Sequence, residues 1–348
     1  MAVRGISQVG RQLFMNGALA GRTTAGDWSG TPTAPPPDCS TLAGHTAPMK
    51  TRPSSHAAAD TRSDNARARR QGGLSFDRVA REYDRSRPGY PPELVAHACA
   101  TAGLRAGDRV LEIGCGGGQL TCALVERGLR VAAIEPGASL IALAAERCRG
   151  AGEVTFVPAR FEDAPLPATP VAAVFAGSSF HWLDPDVSWS RAAATLAPGG
   201  TLALLQHCAL VEERSQQDQT ALLAALARCA PAAAAAWPPQ RELDAIRTGV
   251  AQRRGNVSEV WSWIGGRELA CADAAGLFTD VELMAVPTLQ QHSADELNAL
   301  ISTLSFYQQL APEQREALCA EHVALERALG RPVRSSIAAL LVTARRRG

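Results

Sequence analysis

The sequence predicts an α/β fold: a doubly wound, mainly parallel sheet of seven strands, with a helical insertion after the fifth. Three observations carry this. Short apolar runs alternate with segments of helical periodicity from Leu94 to Gln206, the rhythm of a parallel sheet with crossover helices. The first two runs end at Gly114 and Glu135, where a strand gives way to a turn and the next helix. Two further apolar runs, Val281–Val286 and Ser336–Ala344, follow a long helical stretch and extend the sheet.

The elements are read in order. Pro91-Pro92-Glu93 opens a helix, because proline suits a first turn and an acid complements the dipole there; Gly103 closes it. Arg109–Ile113 is the first strand and Gln119–Arg127 the helix after it, closed by Gly128. Arg130–Ile134 is the second strand, Ala138–Arg149 a helix, Val154–Val157 the third strand and Val171–Ala176 the fourth. Asp186–Leu196 is helical, Pro198-Gly199-Gly200 turns the chain, and Thr201–Gln206 is the fifth strand. Residues 209–276 read as mainly helical, punctuated by Pro238-Pro239. Ala294–Ser305 and Pro312–Leu329 read as helices before the final strand.

The folded unit thus runs from 73 to 348. Residues 1–72 differ: they are rich in Gly, Ser, Thr, Pro, Ala and Arg, with weak apolar periodicity, and are expected to be disordered because they bury too little surface to offset ordering entropy. Arg4, Arg11 and Arg22 without an acid give the first 26 residues a loose likeness to a transit peptide; an over-extended start, with Met49 opening a shorter product, is the other reading.

With 35 basic and 34 acidic residues, the net charge of +1 supplies no field for steering toward nucleic acid or an anionic membrane, so neither is expected as a partner. No run approaches 18 apolar residues, so no transmembrane helix is expected. The nine cysteines contain no C-x-x-C pair, which leaves zinc and thioredoxin-type readings without support and fits reduced core cysteines in a cytoplasmic protein. No metal site is read. Oligomeric state is open.

The informative segment is Val110-Leu111-Glu112-Ile113-Gly114-Cys115-Gly116-Gly117-Gly118. A strand runs into a glycine turn and a helix follows. Glycines at 114, 116 and 118 permit positive φ and close approach of a ligand to the backbone, and the helix start offers free N–H groups. A dinucleotide fingerprint would place its third glycine at 119, which is Gln119, and a P-loop would need Gly-Lys-Ser/Thr.

Here the sequence resembles the class I S-adenosylmethionine-dependent methyltransferases, in the small-molecule branch with a methyltransferase type 11-like domain. The resemblance runs from about Phe76 to Gln206 and more weakly to the end. It implies a Rossmann-like methyltransferase fold and S-adenosyl-L-methionine as cofactor. Gly114, Cys115, Gly116 and Gly118 would line the methionine part of the cofactor, with Glu112 ordering the loop. Glu135, followed by Pro136 at the end of the second strand, would hold the ribose hydroxyls, although an acid there is equally compatible with NAD. In Ala159-Arg160-Phe161-Glu162-Asp163, Phe161 would pack on the purine and Glu162 accept from its exocyclic amine; Arg160 stands where related sequences often have an acid. Gly177 and Ser178 would lie beside the sulfonium, in a segment whose Phe180-His181-Trp182 recurs in this branch. His181 is the candidate catalytic residue. In Tyr83-Asp84-Arg85-Ser86-Arg87-Pro88-Gly89-Tyr90-Pro91, Tyr83 and Arg87 would close over the cofactor's amino-acid end, Arg87 pairing with its carboxylate.

The function implied is methyl transfer to an O, N or C nucleophile of a small molecule by in-line displacement. Two other readings stay open: a non-catalytic relative kept as a binding or regulatory module, and an NAD-dependent oxidoreductase on a similar sheet, against which Gln119 argues. Trp237, Trp261, Trp263, Phe306 and Tyr307 are candidates for an acceptor pocket.

Overall fold

The computed structural model describes Asp77 and residues 80–348, except 236, 239 and 267; the side chains of 82–84 are also outside the description. The expectations for residues 1–72 fall outside it.

Seven strands form one sheet in the order β3-β2-β1-β4-β5-β7-β6. They are β1 (Arg109–Ile113), β2 (Arg130–Ile134), β3 (Val154–Val157), β4 (Val171–Gly177), β5 (Leu196–Ala209), β6 (Phe278–His292) and β7 (Val333–Arg346). β1 pairs in parallel with both β2 and β4, while β7 runs antiparallel to β5 and β6. The sheet is therefore mainly parallel, with one reversed strand. The order reverses between β1 and β4, which opens a crevice at their carboxyl ends.

Strand alternation explains the two-faced core. Leu111, Ile113, Val174, Leu202 and Leu204 join one apolar cluster; Val110, Ala173, Phe175, Ala203 and Leu205 join the other. Successive side chains point to opposite faces, so strands apolar at every position must be covered on both sides. Helices α1 (Ala80–Ser86) and α2 (Pro92–Thr101) precede β1, and α3 (Gln119–Val125), α4 (Ala138–Arg147) and α5 (Pro185–Thr195) lie between the first five strands. Pro185 at the first turn of α5 and the Asp184 carboxylate accepting from the Asp186 N–H at 3.1 Å fix that helix start.

Between β5 and β6 lie α6 (Glu213–Cys229), α7 (Pro231–Ala235), α8 (Leu243–Ala251), α9 (Val257–Gly265) and α10 (Ala274–Leu277). α11 (Ala294–Ser302), α12 (Ser305–Gln308) and α13 (Pro312–Leu329) precede β7. A third cluster joins Leu226 of α6 to Phe306, Leu310 and Leu318, tying the two helical groups together. The 2%-exposed Asp218 of α6 anchors this layer: it takes a bidentate ion pair from Arg331 at 2.7 and 2.9 Å and the Arg334 N–H at 2.7 Å.

The largest departures from the sequence expectation are in strand length. β5 begins at Leu196, so Pro198-Gly199-Gly200 lies within an irregular strand start, where the pairing register shifts between Val171 and Ala173 and Gly199 takes φ +73°. β6 is 15 residues long and contains Pro287, tolerated because β6 is an edge strand with one side of its ladder unpaired. No helix among the described residues is long and apolar enough to cross a membrane.

Candidate active site

The glycine turn opens the crevice. Gly114, Gly116 and Gly118 have φ of +67°, +53° and +83°, in the region that favours glycine. They do different work. A Cβ on Gly114 would meet Ser179 Cβ at 2.5 Å, and one on Gly118 would meet Ala144 Cα at 2.8 Å, so both allow tight packing of the turn. A Cβ on Gly116 would meet nothing within 4 Å, so this position faces open space. Below the turn, Glu112 is 1% exposed and accepts from Thr121 Oγ1 at 2.6 Å, tying β1 to α3. Burial pushes its carboxyl up to about 7; the Thr121 bond opposes this and Glu135 reinforces it. Burial likewise pushes the Cys115 thiol well up, which makes it a packing group and not a nucleophile.

Glu135 ends β2 and braces the turn. Its carboxylate accepts from the Gly116 N–H at 3.1 Å and the Gly137 N–H at 2.9 Å. Burial raises its pKa against the opposing pull of those two bonds. Asp77, which sequence reasoning missed, accepts from the Ser139 and Leu140 N–H groups at 2.8 and 3.1 Å. It thereby caps α4 from far along the chain. Pro136 is exposed beside it.

A cavity of about 360 Å³ joins this turn to the end of β4 and the helical layer. Glu112, Gly114, Cys115, Gly116, Gly177, Ser178, Arg87 and His181 all line it, so eight of the expected site residues converge. Ser178 holds φ +52°, uncommon for a residue with a side chain, and its N–H bonds to the Leu205 carbonyl at 2.8 Å. Its hydroxyl shares a 2.7 Å hydrogen bond with the Tyr90 hydroxyl. His181 sits in the short 3₁₀ turn Phe180–Trp182, held by Phe180 packing on Trp189 at 4.6 Å between ring centroids. Arg87 donates to Thr303 Oγ1 at 3.1 Å and to the Thr303 carbonyl at 3.2 Å, which fixes its guanidinium at the cavity.

Tyr90 and His207 are functional candidates that sequence reasoning did not select. Their rings stack at 5.0 Å with 12° between planes, and both line the cavity. Burial and the Arg87 charge push His207 down to about 4, opposed by a hydrogen bond to the Gly89 backbone, so the ring is neutral near pH 7. The signal was available: His207 follows Gln206 at the carboxyl end of β5, where parallel sheets place ligands.

Other expected residues lie elsewhere. Phe161 is 2% exposed within the core, with the Arg191 guanidinium 5.6 Å from its ring centre; its apolar ring is drawn into the core, so the ring stacking expected of it is not available. Glu162 pairs with Arg160 at 2.8 Å and accepts from the Asp184 N–H at 3.1 Å, and its second oxygen is buried without a partner. The Tyr83 side chain lies outside the described residues. Of the aromatic candidates, Trp237 lines the cavity, with Phe306 edge-on behind it at 5.5 Å. Trp261 is buried in the core, and Trp263 packs under Arg241 at 4.3 Å.

The residues fit an adenosyl-type cofactor: a glycine at open space, a strand-end carboxylate beside it, and a buried carboxylate oxygen lacking a partner farther along the strand ends.

Comparison with known proteins agrees with this geometry. Residues 111–204 match a family model described as a methyltransferase domain. An uncharacterized methyltransferase of Mycobacterium tuberculosis (strain ATCC 25618 / H37Rv) is 36% identical over 139 residues, covering 40% of this chain and 54% of the relative. One from Geobacillus kaustophilus is 32% identical over 136 residues, covering 36% of this chain and 62% of the relative. The chain thus spans about half to three fifths of these curated relatives. A solved structure of a candidate type II methyltransferase from Anaeromyxobacter dehalogenans superposes with a TM-score of 0.50 at 23% identity, covering 74% of this chain and 97% of that one. This likeness speaks to the fold.

Proposed function

On the premise that the chain carries a methyltransferase domain of the class I S-adenosylmethionine-dependent family, we propose that it transfers the methyl group of S-adenosylmethionine to a small-molecule nucleophile by in-line displacement. One observation carries the reading: a single cavity joins the glycine turn to a pocket walled by Trp182, Trp237 and the end of β5. One cavity thereby has room for donor and acceptor side by side, as in-line displacement requires.

When bound, the cofactor supplies a methyl carbon activated by its sulfonium. The chain's own residues do the rest. Glu135 takes the ribose hydroxyls through the lone pairs left by its two backbone bonds. The backbone of Gly114–Gly116 and the end of β4 at Gly177–Ser178 border the amino-acid and sulfur end. Arg87, fixed by Thr303, pairs with the amino-acid carboxylate. Glu162 takes the adenine amine on its unpartnered oxygen. Gly118 and Pro136 support these contacts through the two turns. His181 lies at the cavity wall, where it accepts a proton from a hydroxyl or carbon acid; a carboxylate acceptor needs no such step. Ile264, Leu300, Leu304 and Ile337 exclude water from the acceptor side. The eight described cysteines are free, consistent with a cytoplasmic enzyme.

The test is mass spectrometry of a metabolite extract incubated with the protein and methyl-labelled cofactor. Label in a low-molecular-mass product supports the reading. Cofactor binding without transfer to any metabolite points instead to a binding or regulatory module.

A further inference from the structure

Two of the polar side chains that line the cavity are buried, Glu112 at 1% exposed and Gln206 at 7%. Glu112 accepts the Thr121 hydroxyl beneath the glycine turn. Gln206 has no such contact: its side-chain amide donates to and accepts from no described residue. Its place on β5 makes this unusual. Alternate side chains of a strand share a face, so Gln206 continues the row of Leu202 and Leu204. Both leucines belong to the apolar cluster of Ile264, and Ile264 itself lines the cavity. β4 pairs with β5 as far as Gly177 opposite Leu205, which leaves Gln206 as the first residue beyond that ladder, at the crevice. An amide that stands where leucine would pack, and that has no hydrogen bond, costs stability. A ligand that pairs with it offsets that cost.

The charges around the cavity say what kind of ligand this is. Among the described residues lining it, Glu112 is the only carboxylate, and Arg87 is the only lysine or arginine. Glu112 lies under the turn, and Arg87 is held by Thr303 at the side where the cofactor's carboxylate would bind. An acceptor ion of either sign would give up water without gaining a counter-charge. His207, on the other face of β5, supplies no donor, because its N–H goes to the Gly89 backbone. The Gln206 amide both donates and accepts, so it suits an uncharged group that does the same. Trp182, Trp237, Leu300 and Leu304 provide the surface for an apolar body.

Resting on the methyl-transfer reading, we propose that Gln206 is a specificity-determining residue, and that the acceptor is an uncharged molecule with an apolar body whose hydroxyl or amide group pairs with the Gln206 side chain.

The experiment uses four probes of one skeleton: 3-phenylpropan-1-ol, 3-phenylpropanoate, 3-phenylpropylamine and butylbenzene. Each is titrated into the full chain saturated with S-adenosylhomocysteine and followed by tryptophan fluorescence. The alcohol binds at least about tenfold more tightly than either ion. Gln206→Met, close in size, weakens the alcohol by about fivefold and does not weaken butylbenzene, a split that a merely structural role would not produce. In Gln206→Glu the amine overtakes the alcohol, which keeps the test open if the methionine variant does not fold. The proposal is overturned by an ion that binds wild type as well as the alcohol does, by a Gln206→Met protein that weakens both neutral probes alike or neither, or by no probe binding at all. S-adenosylhomocysteine binding, measured first in each protein, separates these outcomes from failure of the methyl-transfer reading.

Discussion

Replacing Glu112 by glutamine isolates one charge at the base of the glycine turn. The side chain is 1% exposed, and glutamine keeps an oxygen to accept the 2.6 Å bond from Thr121. Burial holds the carboxyl at about 7 in the folded protein, against 4.5 when unhindered. A carboxyl raised on folding contributes stability that is fully present below pH 4.5 and lost as pH rises through about 7. The gap corresponds to roughly 3 kcal/mol once both states are ionised. Most of that loss falls between about pH 5 and about pH 8, where wild type gives up on the order of 2 kcal/mol that the uncharged variant keeps. Urea unfolding of both proteins at the two pH values measures it: E112Q is close to wild type at the lower value and more stable by about 2 kcal/mol at the higher. Parallel stability profiles for the two proteins would refute the claim that this carboxyl is desolvated.

Three further outcomes follow from the same geometry. Gly118→Ala, whose Cβ would press on Ala144 at 2.8 Å with φ at +83°, loses about 2–4 kcal/mol of stability in denaturant, whereas Gly116→Ala, facing open space, loses about 1 kcal/mol but at least about tenfold in cofactor affinity by calorimetry. Arg331→Ala leaves the Asp218 carboxylate with only the Arg334 N–H and lowers the urea midpoint near neutral pH; Asp218→Asn in the same background restores part of it. Asp77→Ala removes the cap of α4 and costs about 1 kcal/mol, read as a lower melting temperature.

Much of the fold was legible because its signals are local. β1, β2 and β3 have the expected ends, since each is a short apolar run bounded by a charged residue, glycine or proline. β6 was read as six residues and is 15, because an edge strand paired on one side accepts Thr288, Gln290, Gln291 and even Pro287, which erase the apolar pattern. The glycine turn was legible because positive φ leaves a mark in sequence, and Arg87, Ser178 and His181 converge on it as expected. Phe161 was misread because an aromatic in a loop gives no local sign of whether it faces a ligand or the core. Thr303 and Asp77 escaped for another reason. Each acts across the chain, on Arg87 and on the start of α4, through contacts that no periodicity encodes. Tyr90 and His207 are intermediate: sheet topology placed the end of β5 at the crevice, but only the fold brings the two rings together.

The central claim is that the glycine turn and the strand-end carboxylate Glu135 form an S-adenosylmethionine site. Isothermal titration of the purified protein with S-adenosylmethionine tests it most directly, with Glu135→Ala as comparison and circular dichroism to verify that both are folded. The account predicts saturable one-to-one binding with a dissociation constant on the order of micromolar, weakened at least about tenfold in the variant by loss of a charge-assisted hydrogen-bonding group. A folded wild-type protein giving no binding heat and no ligand-induced rise in melting temperature at millimolar cofactor would contradict it.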